Sequence, residues 1–270
     1  LRFLPEEVVP GLEGEPVEER IVDFISSRTK ILSLTAGSNA LGFTVDIQKV
    51  SSQLEGKSCL LVVDGAQLAA HQTVDVQSMG CDFFVCSAHK FYGPTGIGLL
   101  YGRKALFDDM PPWQGGGDMI LSVSFEHTQY NELPYKFEAG TPHIAGAIGL
   151  GAAIDYMQDL GIAKLAQHEH DLLIAATEKV SAMEGVRIIG TAKEKASVLS
   201  FMIEGVHPHD VGTIFDQQGV AIRTGHHCAQ PVMQFFGIPA TARASFAFYN
   251  TMEEVDALVH GIKKVQELFA

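Results

Sequence analysis

The chain has 270 residues, of which 46% are hydrophobic and 19% charged, and this composition is typical of a globular protein with ample material for a core. Its formal net charge of −13 argues against a protein that wraps a nucleic-acid backbone. No stretch is long and apolar enough to span a bilayer, and no signal peptide is visible. We expect a cytoplasmic protein without a membrane partner. Because the chain starts at Leu1 rather than at a methionine, organellar targeting stays an open alternative.

The first half of the chain alternates short apolar strands with helical segments. The predicted strands cover 30–34, 60–63, 83–87 and 97–101, and a helix is expected over 46–54 with Asp46 at its N-terminus. This order predicts an α/β layer structure with a mostly parallel sheet. In such sheets functional side chains gather beyond the carboxyl ends of the strands.

The second half begins with two loops and a long helical region. The loops are expected at 111–117 and 138–142, the helical region at 145–183 with a break near Gly161, further strands at 198–203 and 220–222, and further helices at 211–217 and 253–269. We place a domain boundary near Met157. This divides the chain into a large domain, 1–157, and a smaller α+β domain, 158–270.

Two ionisable residues follow apolar strands in the large domain. Asp64 ends the strand at 60–63, and Lys90 comes soon after the strand at 83–87, where a desolvated amine would be nucleophilic. A lysine that forms a Schiff base and an aspartate that holds a pyridine nitrogen protonated are what a pyridoxal-phosphate site requires. The alternatives are a helix N-cap for Asp64 and a solvent-exposed lysine after an edge strand for Lys90.

Other polar side chains accompany this pair. Gln67 lies one helical turn after Asp64, within reach of a ring substituent. Ser87 and His89 offer a hydroxyl and an imidazole N–H beside Lys90, which suits a phosphate group. The glycines that follow at 93, 96 and 98 predict backbone that turns tightly or approaches another group closely.

The four cysteines differ in their surroundings. Cys59, Cys81 and Cys86 lie in or beside apolar strands, as core cysteines do, and no disulfide framework is indicated. Cys228 instead ends the motif Arg-Thr-Gly-His-His-Cys at 223–228, where neighbouring cationic groups suit a nucleophilic thiol. The alternatives are an inert loop cysteine and a zinc site built from the two histidines and the cysteine, although no second ligand cluster of recognisable spacing accompanies them.

Arg243 begins an apolar segment, Arg-Ala-Ser-Phe-Ala-Phe-Tyr-Asn-Thr at 243–251. An arginine entering such a strand needs an anionic partner, and its planar fork suits a carboxylate. Both a protein acid and the carboxylate of an amino-acid substrate meet this need.

In this order, the motifs at 64–67, 87–90, 223–231 and 243–251 resemble those of the class V aminotransferases. Within that family the chain is similar to the SufS/CsdA-type (group II) cysteine desulfurases, which are relatives of selenocysteine lyase. The resemblance runs from near Leu1 to Ala270. It implies the pyridoxal-phosphate-dependent transferase fold of type I, with a mostly parallel large-domain sheet, a smaller C-terminal α+β domain and a homodimeric assembly.

The resemblance also implies a role for each matching residue. Lys90 would carry the cofactor and move the substrate Cα proton, and Cys228 would take the substrate sulfur as a persulfide. The residues implied around the cofactor are Asp64, Gln67, Ser87, His89, Lys90 and Thr141. Those implied around the substrate carboxylate are Asn39, Arg223 and Arg243.

The implied reaction converts L-cysteine to L-alanine and passes sulfur to an acceptor protein of the SufE or SufU kind for iron–sulfur cluster assembly. L-Selenocysteine and cysteine sulfinate stay open as substrates, since one carboxylate clamp and one lysine serve all three. Two departures matter. Ala36 stands where the family usually has a histidine, and the section that precedes the counterpart of Leu1 in the family is absent. We therefore expect either a fragment of a longer chain or a truncated relative, which includes a non-catalytic protein that binds the sulfur acceptor.

Overall fold

The structure, a computed structural model, describes residues 18–270 apart from the side chains at 19, 20 and 22. Its first sheet consists of β1 (Ile31–Thr35), β2 (Leu60–Asp64), β3 (Phe83–Ser87) and β4 (Gly98–Gly102), in that spatial order. β1, β2 and β3 are parallel, and β4 runs antiparallel to β3. The four predicted strands are confirmed. Because Thr35 pairs with Asp64 and Asp64 pairs with Val85, the loops after the three parallel strands leave from one edge of the sheet.

The helices of the first half are short. They are α1 (Glu18–Ile21), α2 (Ile47–Leu54), α3 (Val76–Met79) and α4 (Lys104–Asp109), with 3-10 turns at Val22–Phe24, Ala88–Lys90 and Tyr135–Phe137. α2 begins where expected, because the Asp46 side chain accepts a hydrogen bond from the Lys49 N–H at 2.9 Å. Its buried residues, Ile47, Val50 and Leu54, recur at helical spacing and pack on the first sheet.

A two-stranded hairpin lies between the two halves of the chain and was not predicted. It consists of β5 (Ile120–Val123) and β6 (Thr128–Tyr130). Leu121, Val123 and Phe125 are all exposed, so the hairpin lacks the alternation of buried and exposed positions by which strands are recognised in a sequence. The two expected loops contain neither helix nor strand, and they touch each other where the Gly140 N–H donates to the Gly117 carbonyl at 2.9 Å.

The second half confirms the long helical region and forms a second sheet. The helices are α5 (Ile144–Leu160), α6 (Ile162–Ser181), α7 (Pro208–Gln217), α8 (Gln230–Phe235) and α9 (Met252–Phe269). The strands are β7 (Val186–Ile189), β8 (Val198–Ile203), β9 (Arg223–Gly225) and β10 (Thr241–Ser245), all antiparallel in the order β7-β8-β10-β9. The strand expected at 220–222 is wrong. Val220 still bonds back to Phe215 of α7, so pairing starts only at Arg223.

Each sheet has its own hydrophobic core. Met157 and the half-buried Leu165 belong to the core around the first sheet, whereas Leu172, about two turns after Leu165 in α6, belongs to the core around the second. The boundary placed at Met157 stays a prediction. A small third cluster, which includes Leu41 and Ile189, packs the loop after β1 against the second sheet. Within residues 18–270 no helix has the length and apolar character needed to cross a membrane.

Candidate active site at the junction of the two sheets

Asp64 lies at the end of β2 with its side chain exposed. Its Oδ1 accepts a hydrogen bond from the Ala66 N–H at 2.9 Å, so the carboxylate holds a local turn. The predicted alternative of a helix N-cap is wrong, because turns and not a helix follow. Gly65 is required here, since a Cβ at that position would lie 2.0 Å from the Phe84 Cζ.

Lys90 ends the 3-10 turn Ala88–Lys90, which follows β3 directly. The Phe91 and Gly93 N–H groups both donate to the Ala88 carbonyl, at 3.0 and 2.9 Å, and close the turn tightly. Lys90 and His89 are exposed, so the expected desolvation of the amine is not met within residues 18–270. The reason is that the turn carries both side chains past the end of the sheet. Within residues 18–270 the Ser87 hydroxyl makes no capping bond, which leaves it available to a ligand.

The loop after β1 connects the edge of the first sheet to the second. Its backbone is fixed at the sheet because the Ala36 N–H donates to the Asp64 carbonyl at 2.8 Å. Gly37 lies beside the half-buried Gln67, since a Cβ at Gly37 would be in van der Waals contact with the Gln67 Cβ at 3.4 Å. Two residues later, the Asn39 Nδ2 donates to the His227 carbonyl at 2.5 Å. The predicted cofactor and substrate residues are therefore linked through one loop.

Arg243 lies in β10, beside Arg223 of β9. Its Nη1 donates to the Asn39 carbonyl at 2.7 Å, and its Nε is buried without a hydrogen-bond partner among residues 18–270. Burial lowers the pKa of the guanidinium, and the charge of Arg223 lowers it further. The alternative of a structural ion pair receives no support, since no ion pair of the described part of the chain includes Arg243. The arginine therefore keeps donor capacity for an anionic ligand.

Cys228 lies between β9 and α8, with its thiol exposed. The Arg223 Nη2 lies 3.6 Å from the Cys228 Sγ, within range of a charge-assisted contact. His227 and Cys228 have φ angles of 54° and 60°, a left-handed conformation that is strained for residues other than glycine. The thiol opens into a shallow depression of about 420 Å³. It is lined by Arg223, Thr224, His226, His227, Cys228, Gln230 and Pro231.

Lys90 does not line this depression. The structure therefore gathers the predicted residues into two groups, one at the edge of the first sheet and one on the second sheet. The first group contains Asp64, Gln67, Ser87, His89 and Lys90. The second contains Arg223, Arg243 and Cys228, together with Asn39, which reaches them from the loop after β1. The loop after β1 contacts both groups.

Thr141 belongs to neither group. It is exposed on the loop before α5, next to Gly140, whose φ is 83°. His143, two residues after Thr141, lies near the turn that follows Lys90, since its ring would be 3.6 Å from a Cβ at Gly96.

His227 fixes the loop that carries Cys228 to the protein interior. Its ring is buried, with Nε2 lying 2.8 Å from the Thr241 Oγ1 and 3.2 Å from the Thr241 carbonyl. Burial, together with the charge of Arg243, lowers the pKa of His227 to about 4, so the ring is neutral near pH 7. Because His227 points into the protein while Cys228 is exposed, they do not present a shared ligand set for zinc. No group of three metal-ligating side chains occurs elsewhere within the described range.

Two hydroxyl residues that hold the site together were not predicted from the sequence. Thr241 fixes His227, and Ser200, which is fully buried in β8, donates to the Ala40 carbonyl at 2.5 Å. The signal for Ser200 was a single hydroxyl in an otherwise apolar strand, since such a group must find a partner when it is buried.

Comparison with known proteins places these residues in a family. The aminotransferase class-V family matches residues 8–258. The chain is 46% identical over 269 residues to a probable cysteine desulfurase of Halalkalibacterium halodurans, covering 100% of this chain and 65% of that protein. It is 48% identical over 250 residues to a cysteine desulfurase of Serratia proteamaculans, covering 92% and 61%. The chain thus spans somewhat less than two thirds of the length of these curated relatives.

Solved structures give the same result. The cysteine desulfurase CsdA of Escherichia coli, in an S-sulfonic acid form, superimposes with a TM-score of 0.89 at 39% identity, covering 93% of this chain and 62% of that one. The apo cysteine desulfurase of Thermococcus onnurineus NA1 gives 0.85 at 40% identity, covering 87% and 60%. The expected fold, that of the pyridoxal-phosphate-dependent transferases of type I, is confirmed. The chain belongs to the class V aminotransferase family.

Proposed function

We propose that the complete protein is a pyridoxal-phosphate-dependent cysteine desulfurase, which converts L-cysteine to L-alanine and carries the sulfur as a persulfide on Cys228. One observation carries this proposal. An exposed thiol lies in contact with Arg223, in the same cluster as Arg243, whose Nε has no partner within residues 18–270. A site that combines a carboxylate-binding arginine with a nucleophilic thiol suits an amino acid that gives up its sulfur.

The residues at the edge of the first sheet fit pyridoxal phosphate. Asp64 and Lys90 follow neighbouring parallel strands, so the carboxylate and the amine leave the sheet on one side. The uncommitted Ser87 hydroxyl and the exposed His89 would hold the phosphate, and Gln67 would bond a ring substituent. When bound, pyridoxal phosphate acts as an electron sink that stabilises negative charge at the substrate Cα.

The chain's own residues divide the remaining work. Arg243, held by Asn39, would bind the substrate carboxylate, and the Lys90 amine would move the proton at the substrate Cα. The Cys228 thiolate would attack the substrate sulfur, so that an S–S bond forms and the Cβ–S bond breaks. The substrate Cβ keeps the electron pair of that bond and takes up a proton, which yields alanine.

Delivery of the sulfur requires an accessible thiol, and Cys228 is exposed. We include in the proposal a sulfur-acceptor protein of the SufE or SufU kind, iron–sulfur cluster assembly and a cytoplasmic location. A homodimer is also part of it. Exposed apolar side chains on the hairpin, such as Val123 and Phe125, and on α5, such as Ile144 and Ile148, support pairing with a second copy.

The test uses the complete gene product loaded with pyridoxal phosphate and supplied with L-cysteine. We expect alanine to form in step with a mass increase of one sulfur atom on the peptide that contains Cys228. Cys228→Ala should lose both signals, whereas Cys59→Ala, which alters a buried thiol just before β2, should keep them. Alanine formation by Cys228→Ala at the unmodified rate would refute the assigned nucleophile.

A further inference from the structure

Glu169 is a buried carboxylate that the proposed reaction does not use. It is only 1% exposed and lies in α6 on the same face as Leu165, Leu172 and Ala176. A carboxylate at an apolar position is unfavourable unless hydrogen bonds or an opposite charge compensate for the loss of water. Its partners therefore indicate why the site tolerates it.

Two side chains of the large domain compensate for Glu169. The His71 Nδ1 lies 2.5 Å from one carboxylate oxygen, and the Tyr92 hydroxyl donates to the other at 3.3 Å. Burial, followed by the charge of Glu169, raises the pKa of Tyr92, so the phenol keeps its proton and acts as a donor. Glu169, in α6, thus binds two residues from the first half of the chain, His71 and Tyr92.

Tyr92 connects this network to Lys90, which lies two residues before it in the same turn. Its φ of 68° is left-handed, and a bulky residue adopts that conformation only when its surroundings impose it. The ring packs edge-on against Phe248, at 4.7 Å between centroids, and against Tyr249, at 6.4 Å. Both aromatic residues follow β10, the strand that carries Arg243. Tyr92 is therefore the point where the lysine turn meets the domain that binds the substrate.

We propose that Glu169 is a positioning residue which, through Tyr92, fixes the turn that carries Lys90 relative to the Arg243 strand. This inference rests on the proposed function, because it assigns Lys90 to the cofactor. Without the hydrogen bond from Tyr92 to Glu169, fewer contacts hold Tyr92 in its left-handed conformation, and its backbone can relax to a negative φ. Such a change would reorient the peptide unit between Phe91 and Tyr92 and shift the turn that carries the Lys90 amine.

The test compares four variants of the complete, cofactor-loaded protein. Tyr92→Phe removes the hydroxyl but keeps the ring, and Glu169→Leu replaces the carboxylate with an apolar side chain of similar size. Glu169→Gln keeps an oxygen that accepts from Tyr92 and serves as the conservative rescue. Tyr156→Phe is the matched control, because Tyr156 packs on the same Phe248 ring, at 6.2 Å, while its side chain is largely exposed.

We expect Tyr92→Phe and Glu169→Leu to lower kcat by about 10- to 100-fold while KM for cysteine stays unchanged, since the carboxylate-binding residues are untouched. The visible circular dichroism of the bound cofactor should weaken in both, because it reports the orientation of the chromophore on Lys90. Glu169→Gln should recover most of both signals, and Tyr156→Phe should match the unmodified protein. The unfolding temperature of each variant is measured alongside, because Glu169→Leu leaves the His71 ring and the Tyr92 hydroxyl without their acceptor and should lower it, whereas Tyr92→Phe keeps the His71–Glu169 pair.

The outcomes are distinguishable. Unchanged kcat and dichroism in Tyr92→Phe and Glu169→Leu would overturn the positioning role, as would losses that only track a lowered unfolding temperature. If the unmodified protein binds the cofactor at Lys90 but forms no alanine, the desulfurase proposal fails alone, and the dichroism still decides the role of Glu169. If no cofactor attaches to Lys90, both proposals fail.

Discussion

Replacing Arg243 with lysine tests the substrate-binding side of the site most directly. In the structure the guanidinium donates one bond, from Nη1 to the Asn39 carbonyl, and its buried Nε has no partner within residues 18–270. A planar fork supplies two parallel donors to a carboxylate, whereas an ammonium group supplies a single point charge. Arg243→Lys would therefore keep the charge and lose the paired geometry.

The size of the effect follows from the number of bonds lost. A hydrogen bond to a charged group contributes about 1.5–3 kcal/mol, so loss of one predicts a fall in kcat/KM of roughly 10- to 150-fold. In the proposed reaction the substrate carboxylate is bound alike in the ground state and in the transition state. The loss should therefore appear as a higher KM, with kcat largely retained.

The assay is alanine formation by the complete protein over a range of L-cysteine concentrations. Arg187→Lys is the matched control, since Arg187 is an exposed arginine in β7 of the same sheet and should leave both constants unchanged. A KM for Arg243→Lys equal to that of the unmodified protein would show that another group binds the carboxylate.

Two further predictions concern the architecture beneath the site. In urea unfolding, Gly65→Ala should destabilise the protein by about 3 kcal/mol, because the new Cβ would overlap the Phe84 ring. Adding Phe84→Leu to the Gly65→Ala variant should restore part of the lost stability. Since the pKa of His227 is lowered from 6.5 to about 4, its stabilising contribution is complete above pH 6.5 and is lost as the pH falls towards 4. Over that range the free energy of unfolding of the unmodified protein should fall by up to about 1.4 kcal/mol per pH unit more than that of His227→Gln. Urea unfolding at each pH measures this difference, and an equal fall in both proteins would contradict the assigned burial of His227.

The amino-acid sequence by itself determined the elements and the chemical repertoire. The strands ending at Asp64 and Ser87 and the helix begun by Asp46 were all predictable, because apolar runs and capping residues act over a few positions. The motif ending at Cys228 and the arginine at 243 were recognisable for the same reason, since each lies in one short segment. The exposed hairpin at 120–130 was not predictable, because it has no buried face and therefore no alternation of apolar and polar residues.

Only the tertiary structure decided which of these segments meet. Asn39 and His227 are 188 residues apart in the chain, and Tyr92 and Glu169 are 77 apart, yet each pair shares a hydrogen bond. Contacts of this kind depend on how two separately cored sheets pack, and local pattern carries no information about that packing. Glu169 shows the difference most clearly. The sequence places a carboxylate on the apolar face of a helix, but its partners His71 and Tyr92 meet it only once α6 has packed against the first half of the chain.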